Sequence, residues 1–179
     1  MENISYRTIS DSELSKISEI DRREQIRVGY DVIDGKLISS DVNWDVPSFS
    51  SEGTGGHSVS RQIEFCRQHI RSGARAIGAF YGEKLVGIVV LTPEVRPRIA
   101  QIAYLLVGHG NRQMGIGTQL VNMAESHARV TGAEQIYVSA TPSESAVGIY
   151  LRMGFEPVDE PLVELYELEP EDIHMAKML

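Results

Sequence analysis

Apolar residues recur along this chain with two periods, and the switches between them mark its elements. Ile4 to Ile9 alternates as a first strand. Ser10-Asp-Ser-Glu13 follows with the spacing of a capping box, Ser10 as N-cap and Glu13 reaching back. Leu14, Ile17 and Ile20 then share one helical face, which predicts a first helix running to about Gln25. From Val28 to Val42 the pattern changes. Tyr30, Val32 and Ile33 lead into Asp34-Gly35, with Leu37, Ile38 and Val42 beyond, a strong hairpin signal. Trp44-Asp-Val-Pro47 and the Ser- and Gly-rich run Ser48 to Ser58 read as a loop. Val59, Ile63, Cys66 and Ile70 line a second helix, closed by Gly73.

The next three apolar runs predict a meander. Ala76 to Tyr81 and Leu85 to Leu91 are strands joined at Gly82-Glu83, Pro93 to Pro97 is the following turn, and Ile99 to Val107 is the third strand. A third helix, Ile116 to Val130, has Ile116, Leu120, Met123, Ala124 and Ala128 on its core face and Gly132 at its end. Ile136, Val138 and Ala140 alternate as a strand, and Thr141-Pro142-Ser143 breaks it and can cap a fourth helix. Ala146, Ile149, Tyr150 and Met153 line that helix, and Gly154 caps its end. Val163 to Leu168 and Ile173 to Met178 are expected as two final strands. The order predicts an α/β (α+β) domain, a mixed sheet with helices on its faces.

At 179 residues the chain fits one domain with a substantial core. Its net charge of −8 argues against a nucleic-acid surface, which needs a basic footprint, and favours cationic partners. The single Cys66 excludes an intramolecular disulfide. It lies on an apolar stripe, as a small core residue does. The longest apolar runs are strand-length and no leader pattern opens the chain, so a cytoplasmic protein off the membrane is expected.

The chemistry concentrates in Val107 to Thr118, a glycine-rich turn between strand and helix. Amides left unpaired at a helix N-terminus make an anion site, and phosphate is the usual guest. Gly115 and Gly117 lack the Cβ atoms that would hold a diphosphate off the backbone, and Arg112 can add a bidentate contact. The spacing fails the dinucleotide fingerprint, because Gln113 stands where a glycine is needed, and fails the P-loop, because Gly115 is not followed by Lys-Ser/Thr. A glycine-rich turn with no ligand is the plain alternative.

A second pattern resolves the choice. Arg112-Gln-Met-Gly115-Ile-Gly117-Thr118 after a strand ending at Val107, the meander feeding that strand, and Ala146-x-x-x-Tyr150-x-x-x-Gly154-Phe155 together resemble the GNAT superfamily of acyl-CoA-dependent N-acetyltransferases. The likeness covers nearly the whole chain and is weakest from Val28 to Ser58. It implies a single domain over residues 1–179, a mostly antiparallel sheet splayed at its centre with about four helices, and a hairpin and loop insertion at about 28–58 on the acceptor side. It further implies acetyl-CoA as co-substrate, no metal, and a small-molecule or peptide amine as acceptor. Gln113, Met114, Gly115, Ile116, Gly117 and Thr118 would hold the CoA pyrophosphate, with Arg112 beside them. Leu105, Leu106 and Val107 would pair with the pantetheine arm as an added strand does. Tyr150 matches the family's usual general acid, which protonates the leaving thiolate. Ser143 stands nearest to where the family often has Asn as a cofactor contact. Members are often homodimers.

Two gaps remain in that reading. Many relatives carry a carboxylate on the strand corresponding to Ala100 to Val107, where this chain has none. Asp45, Glu64 and Glu164 are distant candidates for a base, His57 and His109 are undecided, and an amine arriving already deprotonated needs no base. The missing carboxylate also leaves open a catalytically silent acyl-CoA sensor. For the acceptor, Glu156 to Asp172 holds eight acidic residues and no Lys or Arg, either a solvated face or a groove that draws in a cation. Trp44 likewise has two readings, a staple that pins its loop to the body or a wall of the acceptor pocket.

Overall fold

The computed structural model describes residues 4–52, 55–56 and 58–179. Seven strands form the main sheet in the order β1 (Ile4–Thr8), β4 (Arg75–Tyr81), β5 (Lys84–Arg96), β6 (Ile99–Val107), β7 (Gln135–Ala140), β9 (Ile173–Met178) and β8 (Glu156–Pro157). Only β6 and β7 are parallel. A separate ribbon pairs β2 (Glu24–Ile33) with β3 (Lys36–Val46). Against one face of the sheet pack α2 (Ile116–Val130) and α3 (Glu144–Arg152). Against the other pack a 3-10 segment, Asp11–Glu19, and α1 (Val59–Arg71), with the short α4 (Val163–Tyr166) beside β9. The two faces are called here the α2 face and the α1 face.

The meander, α1, α2, α3 and the Asp34-Gly35 hairpin turn stand where the pattern placed them. Four expectations change. The first helix is 3-10 and ends at Glu19; its buried residues Leu14, Ile17 and Ile20 recur every three positions, which suits the 3-10 period, and the strand that starts at Glu24 leaves no room for a longer helix. Its N-terminus keeps the expected tie: the Ser10 amide donates to Glu13 Oε2 at 3.1 Å. The hairpin therefore begins at Glu24, and Trp44 lies in β3 rather than in a loop. Its ring crosses the partner strand at Gly29, where a Cβ would stand 2.9 Å from the indole. It staples the ribbon itself. The turn expected at Pro93 to Pro97 falls at Pro97-Arg98, since β5 continues to Arg96 through a register shift between Thr92 and Arg96 that tolerates a proline without an amide donor. Val163 to Leu168 forms one helical turn instead of a strand. Only Leu165 is buried, and β8 takes the place at the edge of β9.

Candidate active site

A bulge opens the sheet. On β5 and β6, Val90 pairs with Tyr104 and Leu91 with Ile102, so Ala103 is an extra residue. The bulge shifts the alternation of β6: Ala100 and Ile102, then Leu105 and Val107, join the α2-face core, whereas Ile99, Tyr104 and Leu106 join the α1 face. The β6–β7 ladder ends at Ile102 and Val138. Beyond it the strands part, and the edge of β6 from Ala103 to Val107 has no strand partner among the described residues. That is the expected central splay.

At the end of β6 the glycine turn winds into α2. Gln113 (φ 63°) and Gly115 (φ 77°) both take left-handed backbone, so successive amides converge in a concave nest at a helix N-terminus that has no side-chain cap. A Cβ on Gly115 would meet nothing within 4 Å, so the space before the nest is open. Gly117 has another job. A Cβ there would lie 2.8 Å from Ile149 Cδ1, so this glycine lets α3 pack against α2. Met114 is exposed, and Ile116 is buried in the core. Arg112 does not project from the turn: Nε donates to the Val107 carbonyl at 3.3 Å and the guanidinium pairs with Glu24 at 2.9 Å.

Tyr150 shares the α2-face core with Leu105 and Val107. Its ring meets Phe155 edge-on at 5.1 Å, and its hydroxyl has no hydrogen-bond partner among the described residues. Burial raises its pKa well above the ordinary value, so the proton stays on. Ser143 is buried, and its hydroxyl accepts from the Ala146 amide at 3.3 Å, which commits it to capping α3.

The ribbon lies across the mouth of the splay. Next to the glycine turn, Glu24 holds Arg112, and the His109 amide donates to the Asp21 carbonyl at 2.7 Å. At the other lip, Gly29 bridges Ser143 and the Tyr30 amide donates to the Pro142 carbonyl at 3.3 Å.

Sequence patterning singles out none of the polar residues on the α1 face. Thr92, Gln101 and Tyr137 are register partners in one row, and Ser139 and His174 are partners in the next row toward the opening. Gln101 is 6% exposed and its amide has no partner among the described residues. His69 on α1 hydrogen-bonds Thr92 Oγ1 through Nδ1 at 3.0 Å, and desolvation lowers its pKa. His174, 4% exposed, has Nε2 3.0 Å from the Glu169 carbonyl and Nδ1 2.9 Å from the Tyr137 hydroxyl and 3.4 Å from Ser139 Oγ. A carbonyl only accepts, so Nε2 carries the proton and Nδ1 offers its lone pair to the two hydroxyls. The signal in the sequence is one or two polar residues in each apolar strand, which alone have no address.

The proposed bases lie elsewhere. Glu164 is paired with Arg96 at 2.6 Å and held at about 2 by that guanidinium; Glu64 is lowered by Arg67. Asp45 accepts from Gln25 Nε2 at 3.3 Å on the ribbon. His109 is exposed, and His57 lies outside the described residues. Among the described residues, no group of three or more His, Cys, Asp or Glu is gathered to hold a metal, and no helix is long and apolar enough to cross a membrane.

This combination of a bulged, splayed sheet and an amide nest between β6 and α2 defines an acyl-CoA-type transferase fold. Residues 42–155 match the acetyltransferase (GNAT) family model, more than half of the chain, and the protein belongs to that family. Among solved structures, it is similar to nourseothricin acetyltransferase (19% identity, 98% of each chain covered, TM-score 0.72). It is also similar to the PaiA N-acetyltransferase of Thermoplasma acidophilum in complex with coenzyme A (16% identity, 99% of each chain, TM-score 0.65). A third likeness is to aminoglycoside 6'-N-acetyltransferase complexed with coenzyme A (21% identity, 69% of this chain and 81% of that one, TM-score 0.54). No curated protein sequence matches the chain.

Proposed function

We propose that this protein transfers an acetyl group from acetyl-CoA to a primary amine of a cationic small molecule or peptide, by direct attack with both substrates bound. The observation that carries the reading is the unpaired edge of β6 running into the nest of Gln113 and Gly115. The edge fits the amides of pantetheine, and the nest fits a diphosphate. When bound, acetyl-CoA supplies an already activated thioester. Leu105, Leu106 and Val107 would align its arm by main-chain pairing, and Met114 to Thr118 would present the amides of the nest. Tyr150, kept protonated by burial, would hold the proton for the leaving sulfur.

Two observations support a cationic acceptor. Of the eight acidic residues from Glu156 to Asp172, only Glu164 pairs with a cation among the described residues. The neighbours named for nourseothricin and aminoglycosides act on those compounds. Thiol release from acetyl-CoA across a panel of polyamines, aminoglycosides, streptothricins and peptide amines tests the reading. Turnover with at least one cationic amine is expected, with a KM that rises with ionic strength. Stabilisation by CoA in a thermal-shift assay without turnover on any amine would instead favour the silent sensor.

A further inference from the structure

We propose that Ser139 and His174 are the pair that takes the proton from the acceptor amine, an inference that rests on the acetyl-transfer reading above. The need is quantitative. An alkylammonium with a pKa of about 10.4 is neutral in only about one molecule in a thousand at pH 7.4. β6 offers no carboxylate, and Glu64 and Glu164 are tied to arginines.

Ser139 is the first residue of β7 past the end of the β6–β7 ladder, on the α1 face and only partly buried. Tyr104, the first residue of β6 after the bulge, faces the same side from the opposite wall. An amine entering from the α1 face would reach the opening between them, with Gln101 in the row below. Behind Ser139 stands its register partner His174. The Glu169 carbonyl fixes the Nε2–H tautomer, which leaves Nδ1 as an acceptor shared between the Tyr137 hydroxyl at 2.9 Å and Ser139 Oγ at 3.4 Å. A nucleophile-side hydroxyl, an imidazole behind it and a third group fixing the ring is the arrangement by which proteins activate a proton acceptor.

The step balances as follows. The ammonium nitrogen gives a proton to Ser139 Oγ while the Ser139 hydroxyl proton moves to Nδ1 of His174. The Tyr137 hydroxyl turns to accept from the new N–H, and Nε2–H stays on the Glu169 carbonyl. As the nitrogen–carbon bond forms and the thioester carbon–sulfur bond breaks, Tyr150 gives its proton to the sulfur, and the nitrogen, made acidic by the new bond, gives up its second proton, which returns through solvent to the Tyr150 phenolate. The imidazolium then releases its proton to solvent. The groups around the ring are Tyr137 from β7, Tyr166 from α4 (ring centroid at 5.6 Å), the Glu164–Arg96 pair acting through Tyr137, and Asp172 two residues earlier. Ser139 is the catalytic residue of the pair, and His174 acts through it.

Two measurements test the pair. In CoA-saturated protein at pH 7.5, nitrogen-15 NMR of the His174 ring is expected to show the Nε2–H tautomer, with Nδ1 unprotonated. A ring protonated on Nδ1 overturns the assignment whatever the protein acetylates. With the fastest amine of the panel, Ser139→Ala and His174→Gln should each lower kcat/KM for the amine roughly 100- to 10,000-fold at pH 7, with KM for acetyl-CoA unchanged. Their deficit should shrink as pH rises toward the pKa of the amine, while that of Tyr150→Phe should not. A deficit of the same size at every pH makes the pair merely structural and sinks the proposal. Ser139→Ala, at a partly exposed site, keeps the test available should His174→Gln not fold. Failure of every amine sinks the acetyl-transfer reading instead.

Discussion

The two faces of the splayed sheet are built by different rules. On the α2 face, the parts come from two short contiguous segments, Arg112 to Thr118 and Ala146 to Phe155, and the nest is made of main-chain amides. On the α1 face, each strand contributes one or two scattered polar residues: Thr92 from β5, Gln101 from β6, Tyr137 and Ser139 from β7, His174 from β9. A donor common to a family can be held by backbone geometry, which needs glycines at fixed offsets. An acceptor that differs between relatives must be met by side chains that only the folded topology assembles.

On the α2 face, removing the proposed acid should produce the largest effect. Tyr150→Phe is expected to lower turnover roughly ten- to ten-thousand-fold while CoA affinity, measured by calorimetry, barely changes. Unchanged turnover, with chemistry limiting, would remove Tyr150 from the mechanism. Next comes the nest. Gly115→Ala forces a Cβ into left-handed backbone at a cost of about 1–2 kcal/mol, which should lower Tm and weaken CoA binding without altering the amine pH profile. Gly117→Ala should do less, because Ile149 Cδ1 is the end of a side chain that can swing away. If the two alanines weaken CoA equally, the separation of a conformational glycine from a packing one fails.

Stability against pH contrasts two regions more finely. Burial and the nearby Glu169 push Asp172 up to about 6, above its unfolded value of about 3.8. The folded state therefore holds that proton more tightly, and stability falls as pH rises through that window. Asp172→Asn should raise Tm at pH 7.5 and leave it almost unchanged at pH 3. Glu13 has the opposite sign. The Arg7 guanidinium and the Ser10 amide and hydroxyl bring it down to about 2, so its contribution is present above about pH 4.5 and lost as pH falls toward 2. Glu13→Gln should lower Tm at neutral pH by a small amount, as an exposed ion pair does, and converge with the wild type near pH 2.

What was legible in the sequence follows from the same contrast. Period and punctuation sufficed for the meander, α1, α2 and α3, where Gly73, Gly132 and Gly154 all adopt the positive φ that ends a helix. The turn proposed to hold a pyrophosphate was read from its glycines, and Gly117 among them packs against Ile149 of α3. Leu14, Ile17 and Ile20 fit a helical face and a 3-10 period equally well on paper, and only the following strand at Glu24 decides between them. Val163 and Leu165 alternate like a strand, yet a strand there needs a free edge that β8 occupies. Ala103 looks like any alanine in an apolar run; that it is the extra residue depends on its partners across β5. His174 carries no motif, because what orients it is a carbonyl in its own loop and two hydroxyls on β7.

The ribbon across the mouth has a mechanical consequence. One strand, β2, is fastened to both lips of the opening, at Glu24 by an ion pair and at Gly29 and Tyr30 by main-chain pairing. A strand is already near full extension at about 3.3 Å per residue, so it has almost no slack to give. It works as a tie-bar: the lips cannot spread without releasing one fastening. The ion pair is the end that can let go, since its strength varies with salt and with whatever anion approaches Arg112, whereas the main-chain end has no such handle. The Glu24–Arg112 pair thus fastens the glycine turn and one end of the ribbon at the same point.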